Sequence, residues 1–189
     1  QTDFCRFWQT STPTFLWNRV ALDLIADTDN ELSDNAHLLA TMNLAIADAI
    51  ISCWDAKYFY EFWRPVTAIR LADTDGNDGT TVDTSWTPLL VTPPFPEHTS
   101  GHSSASSAAA AVLADYFGDD TSFTVKSHTN LSWVRDFSSF TSALAEVADA
   151  RVFAGIHFRT ACDVGVVAGN EVAAYIMENL MGRLHGKGN

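Results

Sequence analysis

A chain of 189 residues with 47% hydrophobic and 18% charged residues has the apolar content for one sizeable core and is too apolar for a disordered segment. The formal net charge of -12 rests on 17 Asp and 6 Glu against three Lys, which argues against nucleic acid and anionic membrane as partners. A soluble acidic surface is the plain reading of that charge, and a saline setting is the other.

No run is read as long enough to cross a membrane, and no signal-peptide pattern opens the chain. It starts at Gln1, which reads as a processed or trimmed product. Cys5, Cys53 and Cys162 make an odd number, so one at least is free or pairs outside the chain. Bridges Cys5–Cys53 and Cys53–Cys162 stand beside buried inert thiols as readings.

In chain order, the apolar period is helical almost throughout. Residues 14–27 predict a first helix, with Pro13 just before it. Residues 34–54 predict a long helix, apolar around most of its circumference as in the centre of a bundle. Residues 57–72 predict another, interrupted or restarted at Pro65. Residues 73–98 are rich in Asp, Gly, Thr and Pro and read as the main loop. Within it Asp73, Asp75 and Asn77 invite a calcium reading. Asp78 stands where an EF-hand needs Gly, and no Glu occupies the twelfth position, so an ordinary polar turn is the better account.

Residues 100–117 predict a Ser- and Ala-rich helix ending at Gly118, small enough on several faces to pack closely. Residues 119–138 read as loop with a short helix, 140–153 as a helix, and 161–184 as the last one. With no convincing strand, repeat or linker, the expected architecture is all-α, a single-domain helical bundle over residues 1–189.

Three stretches carry chemistry. Lys57 and Arg64 are seven apart, two turns of a helix, so both can face one side. The residues between them are too aromatic for a solvated face, although Glu61 offers either cation an ordinary local partner. Ser100, Gly101 and His102 stand where loop becomes helix. Unpaired amides and the helix dipole favour an anion there, unless Thr99 or Ser100 is simply an N-cap. Arg151 and His157 are six apart and meet one ligand only if their helix ends near Gly155. Three cations, a Ser-Gly helix start and two histidines suit a tetrahedral oxyanion.

These stretches, in this order, resemble the vanadium-dependent haloperoxidases, a family that shares its anion site with acid and lipid phosphatases. The shared pattern is Lys, six residues, Arg-Pro; then Ser-Gly-His; then Arg, five residues, His. Residues 57–70 (KYFYEFWRPVTAIR) and 93–102 (PPFPEHTSGH) resemble the haloperoxidase branch beyond those anchors, and the likeness runs over residues 5–180.

The resemblance implies a helical bundle with the oxyanion site at the ends of its central helices. Family members are longer, so the chain is expected to be their catalytic portion. Vanadate is the implied cofactor, and phosphate fits the same site. His157 would bond the metal. Lys57, Arg64, Arg151, Ser100 and the Gly101 amide would bind its oxygens. His102 would act as acid and base, and Lys57 would also polarise bound peroxide. The implied reactants are hydrogen peroxide, chloride or bromide, and a small organic acceptor. Trp54 and Phe95 occupy places where chloride-using members carry Trp and Phe, which makes the chain chloroperoxidase-like; the plain alternative is a pair of core aromatics.

Two other readings use the same residues. In an acid phosphatase His157 would attack phosphorus, forming a phosphohistidine, and His102 would protonate the leaving alcohol. A non-catalytic oxyanion-binding helical domain is the other. Departures from the family pattern bear on that choice. Thr99 replaces a Pro, Ala150 stands where many members have Ser, and Ala161 stands where Asp is frequent, with Asp163 out of register. Residues 7–13 (FWQTSTP) resemble a segment that in chloroperoxidases carries an Asp bonded to the second Arg, and no Asp is present there.

Overall fold

The computed structural model describes residues 2–130 and 132–182. Three long helices pack on one another at its centre: α3 (Leu32–Tyr60), α5 (Gly101–Phe117) and α7 (Arg159–Asn179), with α1 (Thr2–Phe7), α2 (Pro13–Ala26), α4 (Pro65–Arg70) and α6 (Phe140–Phe153) around them. The fold class is all-α, as the periodicity predicts.

Helix α2 starts where Thr12 caps it and Pro13 fills the first turn, a position where a missing amide costs nothing. Its Leu16, Trp17, Val20 and Ala21 are buried at helical spacing. Helix α3 buries one stripe: Leu38, Met42, Ala45, Ile46, Ala49, Cys53 and Lys57. Its opposite side leaves Leu44 and Ile51 exposed, so it is less enclosed than a helix apolar all round would suggest. Contrary to the sequence reading, the stretch Leu32–Arg70 is long and apolar enough to cross a membrane by length and composition. A buried core helix passes the same test, and Leu38, Met42, Ala45, Ile46 and Ala49 of that stripe lie in the hydrophobic core.

Helices α5 and α7 meet through small residues. A Cβ on Gly169 would lie 2.2 Å from the Ser104 carbonyl oxygen, and one on Gly165 would lie 3.0 Å from that of Ser100. Only glycine permits this approach. Ser107 donates to the Val166 carbonyl at 2.6 Å across the seam. The N-terminus of α5 is thereby held against the start of α7, where the Ser100 amide donates to the Ala161 carbonyl at 3.0 Å.

Several expectations need correction. Residues 57–60 continue α3, which ends at Glu61 in a left-handed conformation (φ 46°), and α4 restarts at Pro65. Residues 119–138 hold an antiparallel hairpin, β1 (Phe123–Lys126) with β2 (Val134–Phe137), where a short helix was expected. Alternate Phe123 and Val125 side chains of β1 are buried, a period of two that a four-residue strand displays too briefly to stand out. Helix α1 is a further element. The last helix begins at Arg159 and ends at Asn179; Leu184 lies outside the described residues.

The loop of residues 71–100 is tied at several points. Leu89 donates to the Ala154 carbonyl at 3.0 Å, and Glu97 to the Phe62 carbonyl at 2.9 Å. In its acidic turn, Asp75 accepts from the Asn77 amide and Asn77 from the Gly79 amide, the local bonds of a polar turn. All three cysteines are buried and none forms a disulfide.

Candidate functional site

Lys57, Arg64, Arg151, Ser100 and His157 are all buried although polar. The structure brings Lys57 and Arg64 together, but not along one helix face. Lys57 ends the buried stripe of α3, whereas Arg64 lies beyond the Glu61 break as the N-cap residue of α4. The loop joins them. Lys57 Nζ donates to the carbonyls of Pro96 and Glu97, both at 2.9 Å, and to that of Thr99. Arg64 donates from Nε to Phe95 O at 3.1 Å and from Nη2 to the same Pro96 carbonyl at 3.3 Å. The Phe95 ring faces both cations, 5.3 Å from Lys57 Nζ and 5.2 Å from Arg64 Cζ. Glu61, the local partner considered for them, is exposed and makes no salt bridge among the described residues.

Arg151 lies in the last turn of α6. The helix stops at Phe153, and Gly155 follows with φ +73°, where a Cβ would sit 2.9 Å from Trp86 Cη2. That left-handed glycine turns the chain so that His157 meets the cations, as the six-residue spacing requires. Arg64 Nη1 donates to Ile156 O at 2.7 Å and lies 3.1 Å from His157 Nε2. His157 Nδ1 lies 2.8 Å from Glu97 Oε1, which also accepts the Phe158 amide at 2.9 Å. Sequence reasoning passed over Glu97. Its signal was an acid following Pro94, Phe95 and Pro96, three residues before Ser100.

Ser100 is the N-cap of α5: its hydroxyl accepts from the Ser103 amide at 3.3 Å. The plain reading of that serine therefore holds, whatever else it binds. Gly101 opens the helix, and a Cβ there would meet only Cys53 Sγ at an ordinary 3.7 Å, so protein packing does not demand glycine at this position. The segment before α2 reaches the site. Arg151 Nη1 donates to Gln9 Oε1 at 2.9 Å, a neutral oxygen from the stretch that lacks the expected Asp. Ala161 is fully buried and Asp163 exposed, so no carboxylate enters from α7 by that route.

Three buried polar atoms near these residues find no protein partner: Arg151 Nε, His102 Nε2 and Thr99 Oγ1. Buried polar atoms are rarely left so: a tetrahedral oxyanion would accept from Arg151 Nε and Thr99 Oγ1, and His102 Nε2, the lone-pair nitrogen of a neutral ring bonded to the Trp8 backbone, would accept from a protonated oxygen of it. The residues present therefore fit an oxyanion such as vanadate or phosphate. Burial lowers the pKa of Lys57 to about 8, with Cys53 and Glu97 opposing and Arg64 adding to the shift. Burial likewise holds His157 well below the usual histidine range, helped by Arg64, Arg151 and Lys57. His102 is also lowered by burial and by Arg151, while a bond to the Trp8 backbone opposes. Both rings are therefore neutral near pH 7, with lone pairs available to a ligand or a proton.

Trp54 and Phe95 meet edge to face with centroids 4.7 Å apart, and Trp54 stacks on Tyr58 at 5.9 Å. Trp54 is 37% exposed, so it is a rim residue and not a core aromatic.

In this all-α bundle, helix ends gather buried cations and a histidine around polar atoms without protein partners, an arrangement that fits an oxyanion. Residues 37–186 match the family described as the VCPO second helical-bundle domain. The chain belongs to the vanadium haloperoxidase family. It is 29% identical over 99 residues to the vanadium chloroperoxidase of Curvularia inaequalis, covering 49% of this chain and 16% of that protein. It also resembles the crystal structure of a bacterial vanadium-dependent iodoperoxidase, with a TM-score of 0.81 and 35% identity over 95% of this chain and 43% of that one. A bacterial vanadium-dependent chloroperoxidase in its holo form shares the fold, with a TM-score of 0.67 at 22% identity, over 88% of this chain and 39% of that one. The chain thus spans less than half the length of the relatives it matches.

Proposed function

We propose that the chain is the catalytic portion of a vanadate-dependent haloperoxidase that oxidises chloride or bromide with hydrogen peroxide to hypohalous acid, which halogenates a small organic acceptor. The observation that carries this reading is the neutral His157, its Nε2 turned to Arg64 amid partnerless Arg151 and His102 nitrogens, in a chain of this family.

Bound vanadate would supply Lewis-acid activation of peroxide without changing its oxidation state. His157 would hold it through Nε2. Lys57, Arg64 and Arg151 would balance its charge, with the Gly101 amide and the α5 dipole adding donors. In the geometry seen here the Lys57 ammonium is bonded to loop carbonyls, so it acts on the anion by charge unless one of those bonds yields. His102 would carry a proton on Nε2 to or from peroxide. Phe95 and Trp54 would wall the halide's approach.

The test is a halogenation assay on metal-stripped protein titrated with orthovanadate, run with chloride, bromide and iodide and with a His157→Ala control. Activity that appears only with vanadate and is lost in the variant supports the proposal. Iodide is included because one matched structure is an iodoperoxidase; turnover of iodide alone would overturn the halide assignment. Hydrolysis of a generic phosphate monoester, with no halide turnover, would favour the phosphatase reading.

A further inference from the structure

Glu97 is 1% exposed, and among the described residues its carboxylate forms an ion pair with neither Lys57 nor Arg64. Lys57 bonds backbone carbonyls and Arg64 bonds backbone carbonyls and His157 Nε2, while Glu97 Oε1 accepts from Phe158 N and faces His157 Nδ1. Its other fixed points are its own amide, bonded to Phe62 O, and its carbonyl, bonded to Lys57. The residue is thus anchored on both sides of its side chain.

The two neighbours of the His157 ring decide its tautomer. A guanidinium has donors only, so Nε2, 3.1 Å from Arg64 Nη1, must be the acceptor. The single proton of the neutral ring then sits on Nδ1 and is donated to Glu97. Because the same oxygen is pinned by the Phe158 amide, the ring plane is set relative to the backbone. We infer that Glu97 is a positioning residue that holds His157 in the Nδ1–H tautomer, so that its Nε2 lone pair, which here faces Arg64 Nη1, is the one presented to an oxyanion that displaces that contact. The acid in this site thus supports the histidine, while Arg151 is left with the neutral Gln9. The inference rests on the proposed role of His157 as the anion's ligand.

A spectator carboxylate and a positioning one differ in the sign of their effect on anion affinity. A spectator repels the anion, so removing it tightens binding; removing a positioning group loosens it. Orthovanadate and inorganic phosphate are the probes, measured by calorimetry on metal-stripped wild type, Glu97→Gln and Glu97→Ala. Ring-15N spectra of the histidines, with His157→Gln for assignment, read the tautomer without any anion. Expected are an Nδ1–H tautomer with a strongly downfield proton in wild type and an upfield move of that proton in Glu97→Gln. In Glu97→Ala, both tautomers should appear and both anions should bind about ten- to a hundredfold more weakly. Glu97→Gln is nearly isosteric and keeps the spectroscopic arm usable if Glu97→Ala fails to fold. An unchanged Nδ1 proton in Glu97→Gln, or anion binding in Glu97→Ala that is unchanged or tighter, overturns the inference. Wild type that binds neither anion would instead overturn the proposed function, while the tautomer spectra still decide the role of Glu97.

Discussion

At the residue scale the site gathers positive charge inside an acidic chain. Three buried cations sit in a protein of net charge -12, and each is desolvated by the same packing that holds the two neutral histidines. His102 and His157 have their pKa pushed well below 6.5 by burial. In the unfolded chain both take up a proton near 6.5, whereas in the fold they do not. The stability they contribute is therefore complete above that pH and is lost as pH falls below it, at up to about 1.4 kcal/mol per pH unit for each ring. Glu97, raised by burial, works in the opposite direction at lower pH. Urea unfolding of the anion-free protein at pH 7, 6 and 5 should show the loss, and a His157→Gln variant should show a shallower slope. An identical slope would mean that His157 does not titrate as its burial implies. Lys57, Arg64 and Arg151 were legible in the sequence as cations too close to aromatic or apolar residues to be solvated. Glu97 was not, because its meaning depends on His157, sixty residues away, and on which ring nitrogen faces Arg64.

At the element scale the α5–α7 seam sets the distance between the Ser-Gly-His helix start and the chain that carries His157. With the Ser104 carbonyl 2.2 Å from where a Cβ on Gly169 would sit, Gly169→Ala must push the helices apart. The expected cost is about 1–3 kcal/mol of stability, read from denaturant midpoints, with phosphate affinity falling in parallel as the α5 N-terminus moves. A variant that keeps both values would show that the seam accommodates a methyl group without moving the α5 N-terminus. The helices themselves were readable from period and punctuation: Pro13 before α2, Gly118 after α5, Gly155 after α6. The break at Glu61 was not, because a left-handed glutamate carries no local signal of the kind glycine or proline gives. Lys57 and Arg64 meet through Pro96 and Phe95 instead of through helical phase, so the spacing argument pointed to the right pair for the wrong geometric reason.

At the scale of the whole molecule the N-terminal segment closes the back of the site. Phe4 packs edge-on against Phe153, Gln9 bonds Arg151, and Trp8 Nε1 donates to Glu146 at 2.9 Å. Glu146 also pairs with Arg135 of β2, so one carboxylate on α6 ties the segment after α1 to the hairpin. Glu146→Ala leaves the buried Trp8 indole without its acceptor and should cost about 1–3 kcal/mol, measured as a lowered denaturant midpoint. Because Gln9 directly follows Trp8, the same variant should also weaken phosphate binding, and unchanged affinity would show that Gln9 is held independently.

Read alone, the residues determined the all-α class, the approximate places of the long helices and which polar side chains are candidates for an anion site. Each of these depends on local period, on capping, or on residue types too costly to bury without a counter-charge. Tertiary structure decided which of them touch and how. The loop of residues 93–99 draws Lys57 and Arg64 together, Gln9 replaces an expected carboxylate at Arg151, and Glu97 faces His157 Nδ1. Such contacts join residues up to 142 positions apart, and their geometry depends on helix crossings and loop ties that no window of sequence contains.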